Sequence, residues 1–170
     1  MRQNSAIDNG RRKAQAPAGW QAQKSATTRS LIVETAIRCF VEIGYARTTT
    51  TAIANKAGLS RGAMLHHFPS KMAIVRAAVV HLHAKRLRAF RKAVQRTPVQ
   101  GDRVHTNLEA YWEHVRHPMF VAFFELTVAA RTDSKLAAIL RPVQEAFEEE
   151  LHRTAREVFT EWRANDANFD

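Results

Sequence analysis

Apolar residues recur along this chain at three- and four-residue spacing, the period of helices that bury one face. Ile32, Ala36, Ile37, Phe40 and Val41 line one side of a helix predicted over 28–43. Gly44 is suited to end it, and Tyr45 to supply the apolar contact that accompanies such a stop. Two short helices about a tight turn follow. Thr49 is the expected N-cap of the first, which carries Ile53, Ala54 and Ala57; Ala52 stands where a capping box needs a carboxylate. Gly58 can take the positive φ that ends this helix, and Ser60 can cap the second, over 61–67. Phe68 anchors that helix and Pro69-Ser70 stop it. A long helix over 71–96 then carries Ile74, Val75, Ala78, Val79 and Leu82, continued by Leu87, Phe90 and Val94, and ends before Thr97-Pro98.

Further helices are predicted beyond Arg103. Val104, Leu108, Tyr111, Trp112 and Val115 form one stripe, and Pro118 opens the next helix behind His117. That helix, with Met119, Phe120, Phe123, Phe124, Leu126 and Val128, is apolar nearly all round, which predicts central burial. Asp133-Ser134 cap a last long helix, bent near Pro142, with Leu136, Leu140, Val143, Phe147, Leu151, Val158, Phe159 and Trp162 along one side. The expected fold is all-α. A basic arm over 1–26, disordered in isolation, precedes a three-helix unit with a helix-turn-helix over 27–72 and a helical regulatory and dimerisation unit over 73–170.

Charge turns this outline toward function. Residues 1–95 hold 17 Lys and Arg against 3 Asp and Glu, a balance of +14, while 96–170 hold 9 against 13, a balance of −4. One half is built to meet a polyanion, and its second helix of the turn motif is the element that enters a DNA major groove. The basic half has no helix with a Lys-rich face opposite a Trp- and Phe-rich one, so a membrane surface is not the expected partner. The best apolar run, AIVRAAVVHLHA, is broken by Arg76, and MRQNSAIDNGRRK lacks the apolar stretch of a signal sequence. Cys39 is the single cysteine and falls in the apolar pattern, as an inert core thiol in a reducing cytoplasm would. Arg2, Arg11, Arg12, Lys13 and Lys24 make the arm basic, either as a solvated tail or as a strand that touches phosphates or the minor groove. Trp20 has no role in this pattern.

From about Arg29 to Val80 the chain resembles the DNA-binding domain of the TetR family of bacterial transcriptional repressors. The resemblance rests on Phe40, Gly44-Tyr45, Thr48-Thr49, Ile53-Ala54, Ala57-Gly58-Leu59-Ser60-Arg61-Gly62, His67-Phe68 and Ser70-Lys71. It implies that Thr48, Thr49 and Thr50 meet phosphate at the start of the first short helix, and that Ser60 and Arg61 open the recognition helix. Gly62 and Ala63 would lie at the groove floor, with His66 and Lys71 on the DNA backbone. Leu65 occupies the position of a tyrosine whose hydroxyl commonly reaches phosphate in the family, so that contact is lost or passes to His66. Met72 replaces a frequent acidic residue.

The segment FELTVAARTD, 124–133, resembles the regulatory domain of a subset of the same family. Its aromatic cluster is open to two readings: plain core, or a pocket in which Trp112, Phe120, Phe123, Phe124 and Thr127 hold a small apolar or aromatic effector. Family members usually dimerise through their last two helices; only one long helix is evident after Arg131, so a further helix is missing or the homodimer is built differently. His66-His67 point about 100° apart on a helix and His114 with His117 lacks a third ligand, so no metal and no cofactor are expected. There is no activated nucleophile and no phosphate-cradling glycine loop, which argues against an enzyme. The expected function is a cytoplasmic, dimeric, ligand-responsive repressor of a near-palindromic operator in double-stranded DNA. The alternative is a constitutive DNA-binding protein whose second domain only dimerises.

Overall fold

The computed structural model describes residues 18–96, 109, 112–113 and 115–158. Among them are six helices and no strand: α1 (Ala18–Arg47), α2 (Thr50–Ala57), α3 (Arg61–His67), α4 (Lys71–Arg96), α5 (Pro118–Ala130) and α6 (Ser134–Val158). The expected helix over 103–115 falls mostly outside the described residues, as do residues 1–17 of the arm, Phe159 and Trp162.

Capping chemistry sets most boundaries. Thr49 Oγ1 accepts from the Ala52 N–H at 3.1 Å, Ser60 Oγ from Ala63 at 3.1 Å and Ser70 Oγ from Ala73 at 3.1 Å. His117 Nδ1 accepts from Met119 ahead of α5, with Pro118 in its first turn. Asp133 Oδ1 accepts from the N–H groups of Lys135 and Leu136 at the head of α6. Gly58 ends α2 at φ 67°, ψ 29°, the left-handed region that glycine enters without penalty.

α1 starts at Ala18 rather than at 28, so residues 18–26 of the expected arm are helical. Apolar spacing could not register this extension because its residues from Gly19 to Thr27 are all exposed. Local contacts hold it instead. Thr27 and Thr28 hydroxyls donate to the Gln23 and Lys24 carbonyls at 3.0 Å, and the Lys24 ammonium sits 5.3 Å from the Trp20 ring centroid.

The two halves share one core. α1 packs along α2, α3, α4 and α5, with Ile32, Ala36 and Phe40 fully or almost fully buried against Ile53, Met64, Ile74 and Leu82. Ala122, Phe123 and Leu126 of α5 and Leu136 and Leu140 of α6 extend the same cluster. The expected central burial of α5 is corrected. Val121, Phe124 and Val128 are 43, 58 and 51 % exposed, so α5 is a surface helix that turns one apolar face outward. A sequence without polar punctuation gives no clue to which side is covered. Pro142 lies inside α6, where it lacks the N–H that would meet the Ala138 carbonyl.

Cys39 is buried, which pushes its thiol pKa up and keeps it an inert core group. No described helix is long and apolar enough to cross a membrane.

Two histidines on α4 make stability pH-dependent. Burial, reinforced by Lys85 and opposed by Glu34, pushes His81 below its ordinary pKa; burial and then Arg86 do the same to His83. Both protonate less readily in the fold than in the unfolded chain. Their contribution is therefore fully present above the unfolded pKa, about 6.5, and is lost as pH falls from there toward the folded values. Melting temperatures at pH 7.5 and 5.5 are expected to drop toward acid, and H81Q/H83Q to flatten that drop.

Candidate nucleic-acid interface

The helix-turn-helix presents α3 at the molecular surface with its inner side fixed. Met64 is fully buried, Phe68 nearly so, and Leu65 is half-buried against the same core. Arg61, Gly62, Ala63 and His66 are exposed. Two cations lock the ends of this unit. Arg29 of α1 donates to the His67 carbonyl and lies 4.2 Å from the Phe68 ring centroid. Lys71 donates to the Tyr45 carbonyl at 2.8 Å and its ammonium stands 4.1 Å from the Tyr45 ring centroid.

These commitments sort the sequence-derived contact residues. Thr49, exposed, and Thr50, half-buried, sit at the start of α2 with the Thr49 hydroxyl engaged as a cap. Ser60 is exposed and caps α3. Thr48 is fully buried and donates its hydroxyl to the Gly44 carbonyl at 2.7 Å, which takes it off the outer surface. Lys71 is half-buried, and desolvation lowers its pKa against the opposing pull of Asp133. Leu65 faces the core. Of the cations around α2 and α3, Arg47 bonds the Ile43 carbonyl and Lys56 pairs with Glu42, so among the described residues Arg61 is the one with no intramolecular partner. The His66 ring meets His67 edge-on at 5.4 Å, and among the described residues no group of three potential metal ligands occurs.

Gly62 marks the approach surface. A Cβ built there meets nothing within 4 Å, so the fold itself does not require glycine at this site. G62L is expected to leave stability unchanged or raise it by up to about 1 kcal/mol, because glycine is a poor helix former. DNA affinity is expected to fall about tenfold or more, since bulk is added where a base edge must come close. Chemical denaturation beside a DNA-binding titration checks both, and unchanged affinity would place the DNA-facing surface elsewhere.

A polar junction ties this unit to the second half. At Gly44 the helical path of α1 breaks, with φ 78° and ψ 161°, and Tyr45 swings into the gap, buried against Phe40. The Tyr45 N–H donates to Glu125 Oε1 of α5 at 2.7 Å, and its hydroxyl donates to Asp133 Oδ2 at 3.0 Å. Burial, then the bond to Asp133, pushes the phenol pKa up to about 12, so it stays a donor. Asp133 is held below its ordinary pKa, chiefly by the Leu136 N–H and then by Tyr45. Sequence reading missed this junction, because Glu125 and Asp133 stand 80 and 88 residues from Tyr45. A shallow groove of about 440 Å³ beside it is lined by Ile43, Gly44, Arg47, Val121 and Glu125 among others.

The five proposed effector contacts are not gathered into one lining. Phe123 is buried on the inner face of α5, while Phe124 is exposed and stacks on half-buried Phe120 at 6.3 Å. Trp112 is 62 % exposed, and the Thr127 hydroxyl donates to the Phe123 carbonyl.

Residues 32–78 match the model of the bacterial regulatory proteins of the tetR family. This segment is a TetR-family domain. An uncharacterised HTH-type transcriptional regulator of Mycobacterium tuberculosis is 29 % identical over 136 residues, covering 80 % of this chain and 70 % of that one. The HTH-type transcriptional regulator TtgR of Pseudomonas putida is 43 % identical over 61 residues, 36 % of this chain and 29 % of its own. The fold is shared with the multidrug binding protein EbrR, crystallised with imidazole, at a TM-score of 0.58 and 20 % identity over 75 % of this chain and 70 % of that one. The TetR-type segment supports a DNA-binding regulator, and both sequence relatives are transcriptional regulators.

Proposed function

We propose that the protein is a ligand-responsive repressor that binds a near-palindromic operator as a homodimer, in the cytoplasm. The observation that carries this reading is the outward face of α3, where Arg61, Gly62, Ala63 and His66 are exposed while its inner face is clamped. Arg61 reaches a base edge or phosphate, Gly62 and Ala63 admit the groove floor, and His66 with Thr49 and Thr50 engages the DNA backbone. Two copies set their α3 helices one helical turn of DNA apart, roughly 34–36 Å. The effector is a small molecule with an apolar or aromatic body, taken up by the second half; the multidrug binding protein EbrR, which shares the fold, is crystallised with imidazole. The junction at Tyr45 supports coupling, because a shift of α5 and of the turn into α6 moves Glu125 and Asp133 and so the residue that leads into α2. A ligand alters operator occupancy only by its differential affinity for the two arrangements.

Selection of bound fragments from the source genome tests this reading, followed by operator titrations across an effector panel. An inverted repeat with half-sites one turn apart and release by at least one compound are expected. Constant operator affinity across the panel, with no compound raising the melting temperature, would leave a constitutive DNA-binding protein.

A further inference from the structure

α4 directs two nitrogen-bearing side chains toward α5 and α6, and among the described residues neither finds a polar partner. The Arg86 guanidinium lies between two rings, 4.0 Å from the centroid of Phe123 and 3.9 Å from that of Phe147. Its Nε is buried without a hydrogen bond. His83, one turn earlier, meets Phe147 edge-on at 6.3 Å, and its buried Nδ1 is likewise unbonded.

Neighbouring carboxylates are committed elsewhere. Glu150 accepts from Arg91 and Arg153, and Glu34 faces Lys85 and His81. Glu125 and Asp133 serve Tyr45. Among the described residues, then, Arg86 is a desolvated cation with no counter-ion. Two aromatic faces flank the guanidinium and its Nε–H has no acceptor, an arrangement that suits a planar carboxylate. Were the residue only filler between the rings, an apolar side chain of similar volume would serve without the desolvation cost.

We propose that the Arg86 guanidinium edge and the His83 Nδ1–H bind the carboxylate of an organic acid whose apolar body lies against Phe90, Phe123 and Phe147. Phe90 belongs to this set, its ring 6.1 Å from that of Phe147. The proposal names the chemical class of the effector and rests on the reading of the second half as a sensor. Burial and Arg86 keep His83 neutral, so it donates one N–H rather than adding a second charge.

The test uses the full chain labelled with ¹⁵N-arginine and three acids, benzoate, phenylacetate and octanoate. Their neutral amides and inorganic phosphate serve as comparisons. At least one acid is expected to shift the Arg86 Nε–H resonance saturably and to raise the melting temperature. Its amide is expected to do neither, and R86K to weaken binding tenfold or more. R86K keeps the charge and loses the planar fork, and the wild-type resonance reports even if that variant folds poorly. Failure of all three acids, equal binding of an amide, or a response to phosphate alone would overturn the site. If an acid binds through Arg86 without changing operator affinity, the site stands and the sensing reading fails. If operator release follows an amide and persists in R86K, sensing stands and the carboxylate class falls.

Discussion

G44A is expected to lower folding stability by about 3 kcal/mol or more, because it damages backbone and junction together. The residue sits at φ 78° and ψ 161°, a region that is almost glycine-only and costs a side-chain-bearing residue about 1–3 kcal/mol. An added Cβ would also lie 2.9 Å from Glu125 Oε1. That carboxylate is the end of a flexible side chain and can retreat, but retreat removes the acceptor of the Tyr45 N–H. A hydrogen bond to a charged group contributes about 1.5–3 kcal/mol, so relief of the clash merely changes which loss is taken. Gly58 is the control. It too has a positive φ, 67°, but a Cβ there meets nothing within 4 Å, so G58A should cost only the left-handed conformation, about 1–2 kcal/mol. Urea unfolding of both variants separates the terms. Equal losses would mean that the α5 carboxylate contributes nothing to the junction.

The N-terminal unit was legible because its signals are local. Ser60, Thr49 and Gly58 act within four residues of themselves, and the 71–96 helix is bounded by Pro69-Ser70 and Thr97-Pro98. Where the determinant was tertiary, legibility failed. Glu125 and Asp133 look like ordinary surface acids until the fold delivers them to Tyr45. The start of α1 was missed for the opposite reason: a fully exposed helical segment leaves no periodic mark. Arg86 was hidden inside KRLRAFRKAVQR, which reads as a solvated basic face. Its spacing from Val79, Leu82 and Phe90 places it on the buried stripe of α4, a signal that charge composition obscured. Similarly, Lys71 matched the family position for a phosphate contact, and only the fold reveals how much of its ammonium Tyr45 already uses.

Arg61 and Lys71 should therefore part company when each is removed. R61A takes away an exposed side chain with no partner among the described residues, so stability should stay within about 0.5 kcal/mol of the parent. If the guanidinium reads a base edge, operator affinity drops by about 1–3 kcal/mol, roughly 5–150-fold, and discrimination at that base pair relaxes. K71M removes a charged hydrogen bond to the Tyr45 carbonyl together with the stacking of the ammonium on its ring. Those interactions contribute about 1.5–3 and about 0.5–1 kcal/mol respectively, so this variant should be visibly destabilised. Its methionine keeps the apolar stem packed, which confines the loss to the head group. Operator titrations over a salt series, run beside urea unfolding, decide between fold and contact. A phosphate-bound lysine flattens the salt dependence by about one counter-ion when removed, whereas a lysine spent on the fold leaves the slope alone. A K71M protein of parental stability with a flattened slope would return Lys71 to the DNA interface. An R61A protein with parental affinity and specificity would remove the head of α3 from it.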